Sequence, residues 1–268
     1  MDGHDGYYGY DGRSFGGALA LERDVMEGPS GRFTLGFAGA FSHSEVDFDN
    51  YDNEGDSDDW AMAVYGRYQY NDWFAGARIG YGQSAAGVER NLPALGLTAN
   101  SNPDLDYYSA ALFTGYDFYF GDGSWRLTPV AGVNWLRTNA GSFDETGAGD
   151  YNLSYDADNY DSLELLANVT LAKRIELSNG SALTPRLNAG IGYETADNQV
   201  SMKSTFGDIP DFAHFGVDSP DVGRARLLAG AGIDWHVTDH VDLSLEYQGS
   251  FQEDYDDHMG LASFKVSW

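Results

Sequence analysis

Val241-Asp-Leu-Ser-Leu-Glu-Tyr-Gln-Gly-Ser-Phe251 is the most informative stretch of this sequence. On an extended backbone Val241, Leu243, Leu245, Tyr247 and Phe251 fall on one face, and Asp242, Ser244, Glu246, Gln248 and Ser250 on the other. A helical period of 3.6 would scatter the same residues round a cylinder, so the stretch is a strand with one apolar and one polar side. The same two-residue period returns at Leu163, Leu165, Ala167, Val169 and Leu171 against Glu164, Asn168, Thr170 and Ala172. It returns again at Leu183, Pro185, Leu187, Ala189, Ile191 and Tyr193 against Thr184, Arg186, Asn188 and Glu194.

Working outward, further strands are expected at Phe15 to Arg23, Arg32 to Phe48, Trp60 to Tyr70, Trp73 to Val88, Tyr107 to Phe120, Leu127 to Arg137, Arg224 to His236 and His258 to Trp268. With the first three this makes about eleven, most of them near the roughly 9 to 11 residues that cross a bilayer at a tilt. The connections alternate in length. Turn-forming residues join strands tightly at Asn71-Asp72, Gly121-Asp-Gly123, Ser178-Asn-Gly180 and Thr238-Asp239, whereas Asp49 to Asp59, Glu89 to Asp106, Thr138 to Asn159 and Ala196 to Val222 are long and polar. Short turns on one side and long loops on the other describe a membrane barrel with periplasmic turns and extracellular loops. The expected fold is therefore all-β: a transmembrane antiparallel β-barrel of about twelve strands, about eleven of them visible, forming one domain over residues 1–268.

Composition agrees. The 268 residues include 34 Gly, 18 Tyr, 15 Phe, 6 Trp and no Cys, as strands joined by turns require. Mean hydropathy is only -0.41, which an apolar outside and a polar inside produce together. No run approaches the roughly 18 to 20 apolar residues of a spanning helix. Forty-two Asp and Glu against 15 Lys and Arg give a net charge of -27, which excludes a nucleic acid partner. Aromatic residues beside the short turns (Tyr68, Tyr70, Trp73, Tyr116, Phe118, Phe120, Trp125 and Trp235) are placed to form a girdle at the headgroup boundary. Single-chain bacterial barrels have an even strand number, and Met1 to Asp11 is polar and Gly-rich. Residues 1–13 are accordingly expected to be loop or an incomplete first strand, with the closing strand upstream of Met1 or poorly formed. Met1 is not followed by a signal peptide, so the sequence reads as a mature form, an excised domain or the C-terminal part of a precursor.

The polar strand faces should line a lumen. The candidates are Arg67, Arg78, Arg137, Glu164, Arg174, Arg186, Glu194, Arg226, Asp234, Asp242 and Glu246, with Glu22 beside them. Charges in a narrow lumen should pair across strands, because an unpaired one is costly there. The acidic stretch from Ser44 to Asp59 offers oxygen ligands of the kind Ca²⁺ prefers, but its spacing is not that of an EF-hand, so no metal site is assigned. No cofactor is expected. Six His are scattered, and neither HExxH nor GxSxG occurs. Asp239-His240 and Asp257-His258 are sequence neighbours whose side chains point to opposite faces, so no catalytic residue is expected either.

Several stretches together resemble the autotransporter β-domain, the C-terminal translocator of type V secretion proteins. They are Gly16-Gly-Ala-Leu-Ala-Leu-Glu-Arg23, Phe33-Thr-Leu-Gly-Phe-Ala-Gly-Ala-Phe-Ser42, Trp60-Ala-Met-Ala-Val-Tyr-Gly-Arg-Tyr68, Leu127-Thr-Pro129, Leu183-Thr-Pro-Arg186, and Leu227-Leu-Ala-Gly-Ala-Gly-Ile-Asp234 through Trp268. The resemblance implies a twelve-strand barrel in the bacterial outer membrane that helps export an upstream passenger and anchors it at the cell surface. It implies a pore helix before the first strand as well, but nothing before Phe15 reads as helical, and no autocleavage residue can be carried over. Gly260, Phe264, Val266 and terminal Trp268 resemble the assembly signal read by the outer-membrane assembly machinery. Partners expected on this reading are outer-membrane lipids and lipopolysaccharide, that machinery, and the passenger; the barrel itself is expected to be a monomer. A stand-alone channel of porin type and a structural or adhesive surface barrel are the rival readings.

Overall fold

A computed structural model describes residues 9–49, 52–197, 199–206, 214–219, 221 and 223–268. Eleven strands pair in sequence order, each antiparallel to the next, into one curled wall. They are β1 (Tyr10–Gly28), β2 (Gly31–Phe48), β3 (Glu54–Tyr70), β4 (Trp73–Leu92), β6 (Asp104–Tyr116), β8 (Trp125–Asn139), β11 (Tyr160–Lys173), β13 (Ala182–Glu194), β16 (Ala225–Thr238), β17 (Val241–Phe251) and β18 (Asp256–Val266). Every strand inferred from two-residue alternation lies in this wall. The tight turns fall where turn chemistry placed them; Asn71 (φ 51°) and Asp122 (φ 59°) take the left-handed backbone that Asn and Asp tolerate.

Alternation sorts the wall into two faces. Leu19, Leu21, Phe37, Val64, Ile79, Leu112, Leu187, Ile191 and Leu245 stand on the outside, with Leu19 as much as 85% exposed. An apolar shell of this extent has lipid as its natural solvent. Beside the short turns Tyr70, Trp73, Tyr116, Phe118, Phe120 and Trp235 are exposed too, as a headgroup-level girdle requires.

The long connections are more ordered than their polarity suggests. Strand β5 (Leu97–Ser101) folds back on the end of β4. Strands β9 (Ser142–Asp144), β10 (Leu153–Ala157), β14 (Ser201–Phe206) and β15 (His214–Asp218) form a separate four-stranded sheet in the order β15-β14-β10-β9. Short strands β7 (Phe118–Phe120) and β12 (Ile175–Glu176) extend the wall beside β8 and β13. Most of the acidic stretch is strand rather than loop: Glu45 and Asp47 lie on β2, and Glu54, Asp56, Asp58 and Asp59 on β3. Cross-strand partners make this possible, Arg13 Nε donating to Glu45 (2.7 Å) and His43 pairing with Asp58 (2.9 Å). Tyr10 to Arg13, expected as loop or incomplete strand, instead pair with Phe48 to Glu45 as the start of β1. The rest of that expectation, residues 1–8, lies outside the described residues.

One carboxylate holds the loop layer together. Glu145, 6% exposed, accepts from Arg90 Nε (2.8 Å) and Nη2 (2.6 Å), from the Leu153 amide (2.8 Å) and from the Tyr155 hydroxyl (2.9 Å). Beside it Asn100 and Thr146 exchange backbone hydrogen bonds of 2.8 Å, linking β5 to this loop. Phe143 stacks on Tyr155 at 4.8 Å, and Leu153 and Ser204 are buried. Burial by itself would raise the Glu145 carboxyl, but its Arg90, Leu153 and Tyr155 donors outweigh that and hold it below its ordinary value; burial and the nearby Glu145 push the Tyr155 hydroxyl up.

The two ends of the wall approach each other without a ladder between them among the described residues. Lys265 Nζ on β18 donates to Glu22 on β1 at 2.5 Å, and Tyr65 donates to the other Glu22 oxygen at 3.3 Å. The rings of Tyr10 and Tyr255 lie 6.4 Å apart at the other end.

Two outcomes are expected from this architecture. Replacing Glu145 by Gln leaves the Arg90 guanidinium without its counter-charge, at a cost of about 3 kcal/mol. Limited proteolysis should then cut within 142–157 at least several-fold faster, while the barrel keeps its heat-modifiable gel migration; unchanged cleavage would contradict the keystone role. The same loosening should appear in the unmodified protein as pH falls below 4.5, the ordinary Glu value. A carboxyl held low in the folded state contributes stability above its unfolded pKa and loses it as pH drops through its folded one. By contrast Lys265→Met, at an exposed pair, should lower the melting temperature by no more than about 4 °C.

Candidate functional site

The inner face of the wall is where the ionisable residues gather. On β13, β16 and β17, Arg186 lies between two carboxylates, donating from Nη1 to Asp234 (3.0 Å) and from Nη2 to Glu246 (2.7 Å). Gly232 opposite Arg186 leaves the space that the guanidinium occupies: a Cβ there would meet Nε at 2.8 Å. One step along, Arg226 pairs with Glu164 through Nε and, at 2.7 Å, through Nη2, and Asn134 on β8 donates to the same carboxylate (3.3 Å). Asp242 pairs with His236 (2.6 Å). Glu194 sits at the loop end of β13 and accepts from Ser162 Oγ (2.5 Å) and from the amides of Leu163 and Ala196 (both 2.8 Å).

Arg67 and Arg78 also face inward, opposite Thr34 and Tyr65 respectively. Their surroundings are different in kind. The inner face of β2, β3 and β4 carries Gly36, Ala38 and Ala40, then Ala61 and Ala63, then Gly76, Gly80 and Gly82. One half of the lumen is therefore bulky and ion-paired, and the other is lined by small residues.

Two residues expected to line the lumen do not. Arg137 shares a face with Val133 and Trp135, on the outside near the loop end, and pairs with Asp161 at 3.7 Å. Alternation counted from Trp135 reveals this, since an odd spacing is needed to reach the inner face. Arg174 lies between β11 and β12, where Nε donates to Glu176 (2.6 Å) and its amide to the Ser124 carbonyl (2.8 Å). Conversely, Arg126 on β8 does face inward, 3.8 Å from Asp117, which is 5% exposed and accepts from Thr128 (2.5 Å). Its even spacing from Asn134 was the available signal. The Lys265–Glu22 contact joins residues 243 apart, and no local pattern announces it.

At the C-terminal end Gly260, Phe264 and Val266 all lie on the outer face, opposite Tyr247, Leu243 and Val241. Phe264 is exposed, and Trp268, beyond the last strand, is 95% exposed. Among the described residues, β18 pairs only with β17.

Comparison with known proteins agrees with this geometry. The family model described as "Autotransporter beta-domain" matches residues 1–248. Outer membrane protein A of Rickettsia conorii is 25% identical over 197 residues, which is 69% of this chain and 9% of that protein; the chain thus spans under a tenth of the relative's length. In fold the chain is similar to the translocator domain of the autotransporter NalP from Neisseria meningitidis, with a TM-score of 0.77 at 15% identity, covering 99% of this chain and 83% of that one. It is similar also to the β-domain of the Bordetella autotransporter BrkA, with a TM-score of 0.72 at 15% identity over 97% and 92% of the two chains. With its outward apolar shell and inward charge, this chain is an outer-membrane β-barrel and belongs to the autotransporter β-domain family.

Proposed function

We propose that this barrel helps export a polypeptide passenger joined to its N-terminal side and then anchors it at the cell surface. The observation that carries the reading is the family match over residues 1–248, in a wall whose inner face carries paired charges on one half and small residues on the other. The mechanism is physical rather than catalytic. Lipid offers the backbone no hydrogen-bond partners, so the strands satisfy one another and leave a hydrophilic interior as the path of least desolvation. Paired charges such as Arg186 with Asp234 and Glu246 hold that interior polar without leaving strong fixed fields to trap a passing chain. The remaining inner-face candidates, Glu164, Glu194, Arg226 and Asp242, have the same role as lumen lining. Gly260, Phe264, Val266 and Trp268 serve as the assembly signal, and the girdle and loops meet outer-membrane lipid and lipopolysaccharide. No catalytic residue is assigned, and the functional unit is one chain.

A reporter domain fused before residue 1, behind a secretion signal, tests the reading. Protease added to intact cells should remove the reporter; a folded barrel in the outer membrane with the reporter retained inside would refute export and favour a stand-alone channel. The assembly signal makes a separable prediction. Phe264→Asp should reduce folded barrel in cells by about tenfold, since it removes an apolar anchor from a β-augmenting strand, while detergent refolding of the purified variant proceeds normally. Equal loss in both settings would mean that Phe264 acts only in packing.

A further inference from the structure

We propose that the outer face of the wall over β6, β8, β11 and β13 binds one anionic glycerophospholipid of the periplasmic leaflet, with its phosphate on Lys173 and an acyl chain in an apolar trough beside it. The trough has a volume of about 770 Å³, within the roughly 300–1,000 Å³ of small-molecule sites. The ladders set Thr114, Ala131 and Ala167 side by side on neighbouring strands, with Pro129, Val169 and Ala189 in the next outward row. Side chains this short form a floor. Leu112 and Leu165, two positions further toward the loops and both exposed, form a bank along it.

A cation stands at the turn end of the same strands. Lys173 is the last residue of β11 and faces outward opposite Trp125, with Nζ 5.0 Å from the centroid of that ring. Among the described residues its ammonium group meets this ring and no carboxylate. The indole face takes one side of the ammonium group and leaves N–H donors on the other for phosphate oxygens. Trp125 stacks on Phe120 at 6.1 Å, and Phe118, outward on the same short strand, lines the trough. Apolar surface thus leads from the cation to the trough. Four residues of β11 separate Lys173 from Val169, about 13 Å along a strand, which a lipid spans between its phosphate and its acyl region.

Charge on the outward positions identifies the leaflet. At the turn end, among the described residues, the wall strands carry Arg23 and Lys173 there and no acid. At the loop end they carry Glu45, Asp47, Glu54, Asp56, Asp58 and Asp106. A chain of net charge -27 therefore keeps its acids away from one headgroup layer and not from the other. The short turns mark the acid-free layer as periplasmic, where an outer membrane holds glycerophospholipid; lipopolysaccharide occupies the opposite leaflet. A basic side chain at that level favours an anionic headgroup over a zwitterionic one. The site does not depend on whether a passenger is exported.

Native mass spectrometry tests the site on the full chain refolded in detergent micelles doped equally with phosphatidylglycerol and phosphatidylcholine. One phosphatidylglycerol should be retained in preference to phosphatidylcholine. Lys173→Gln should reduce that retention about fivefold, the weight of one basic side chain at a charged membrane surface, and Lys173→Arg should keep it. Ala167→Phe fills the trough without altering charge and should reduce retention to a similar degree. Heat-modifiable gel migration establishes that each variant is folded, and should one fail to fold the other decides. Equal retention of the two lipids, or unchanged retention in either folded variant, would overturn the proposal. So would preferential retention of lipid A when it is offered beside phosphatidylglycerol, because that lipid belongs to the opposite leaflet.

Discussion

Every strand that crosses a bilayer must find its backbone hydrogen-bond partners in a neighbouring strand, because hydrocarbon supplies none. This constraint accounts for the wall more directly than any side chain does. It explains why eleven strands follow one another as antiparallel neighbours in sequence order, and why β1 to β4 run to 17–20 residues with their ladders maintained well past the membrane. It also directs attention to the seam. Among the described residues, the edges of β1 and β18 meet through Lys265–Glu22 and the Tyr10–Tyr255 rings and not through a backbone ladder, and exposed side-chain contacts are weak substitutes for a ladder. The seam is the part of the barrel whose closure most depends on what lies against it.

The outer and inner faces answer to different solvents, and the inner one divides further. Ion pairs between strands on the β11 to β17 half hold bulky groups against the wall in fixed geometry, as the forked contacts of Arg186 show. On the β2 to β4 half, glycine and alanine remove bulk instead, and aromatic rings that would otherwise fill the lumen lie over glycines. One half is rigid by charge pairing and the other open by omission. A duct needs both: a wall that does not collapse inward, and a face along which something can lie.

What the sequence made legible follows from this division. Alternation with period two is enforced by lipid on one side and water on the other, so the wall strands could be read from Leu243, Leu245 and their counterparts alone. Turn residues such as Asn71 and Asp72 declared the short links. Pairing partners were less legible, because a candidate like Arg137 is chosen for its charge while its face depends on counting from Trp135. The strands of the loop layer, 3 to 6 residues long, were hidden by their polarity and by the Gly and Asp around them. Glu145 looked like one acid among many until tertiary structure placed Arg90 beside it.

That loop layer solves outside the membrane the problem the wall solves within it. Long connections that stay open expose unpaired backbone and apolar side chains such as Leu153 and Phe143, and water satisfies only the former. Pairing β10 with both β9 and β14 hides both. The layer must still be fastened to a barrel that offers few apolar contacts at its rim. A buried carboxylate is a costly fastener unless its lone pairs are filled, and Glu145 fills them with a guanidinium, an amide and a hydroxyl drawn from β4 and β10. Because Arg90 lies on the inner face of β4, the fastening draws this loop toward the lumen side of the wall. The loops thus stand at the lumen side of the rim, ordered by this ion pair together with the β9–β10–β14 ladders and the Asn100–Thr146 bonds.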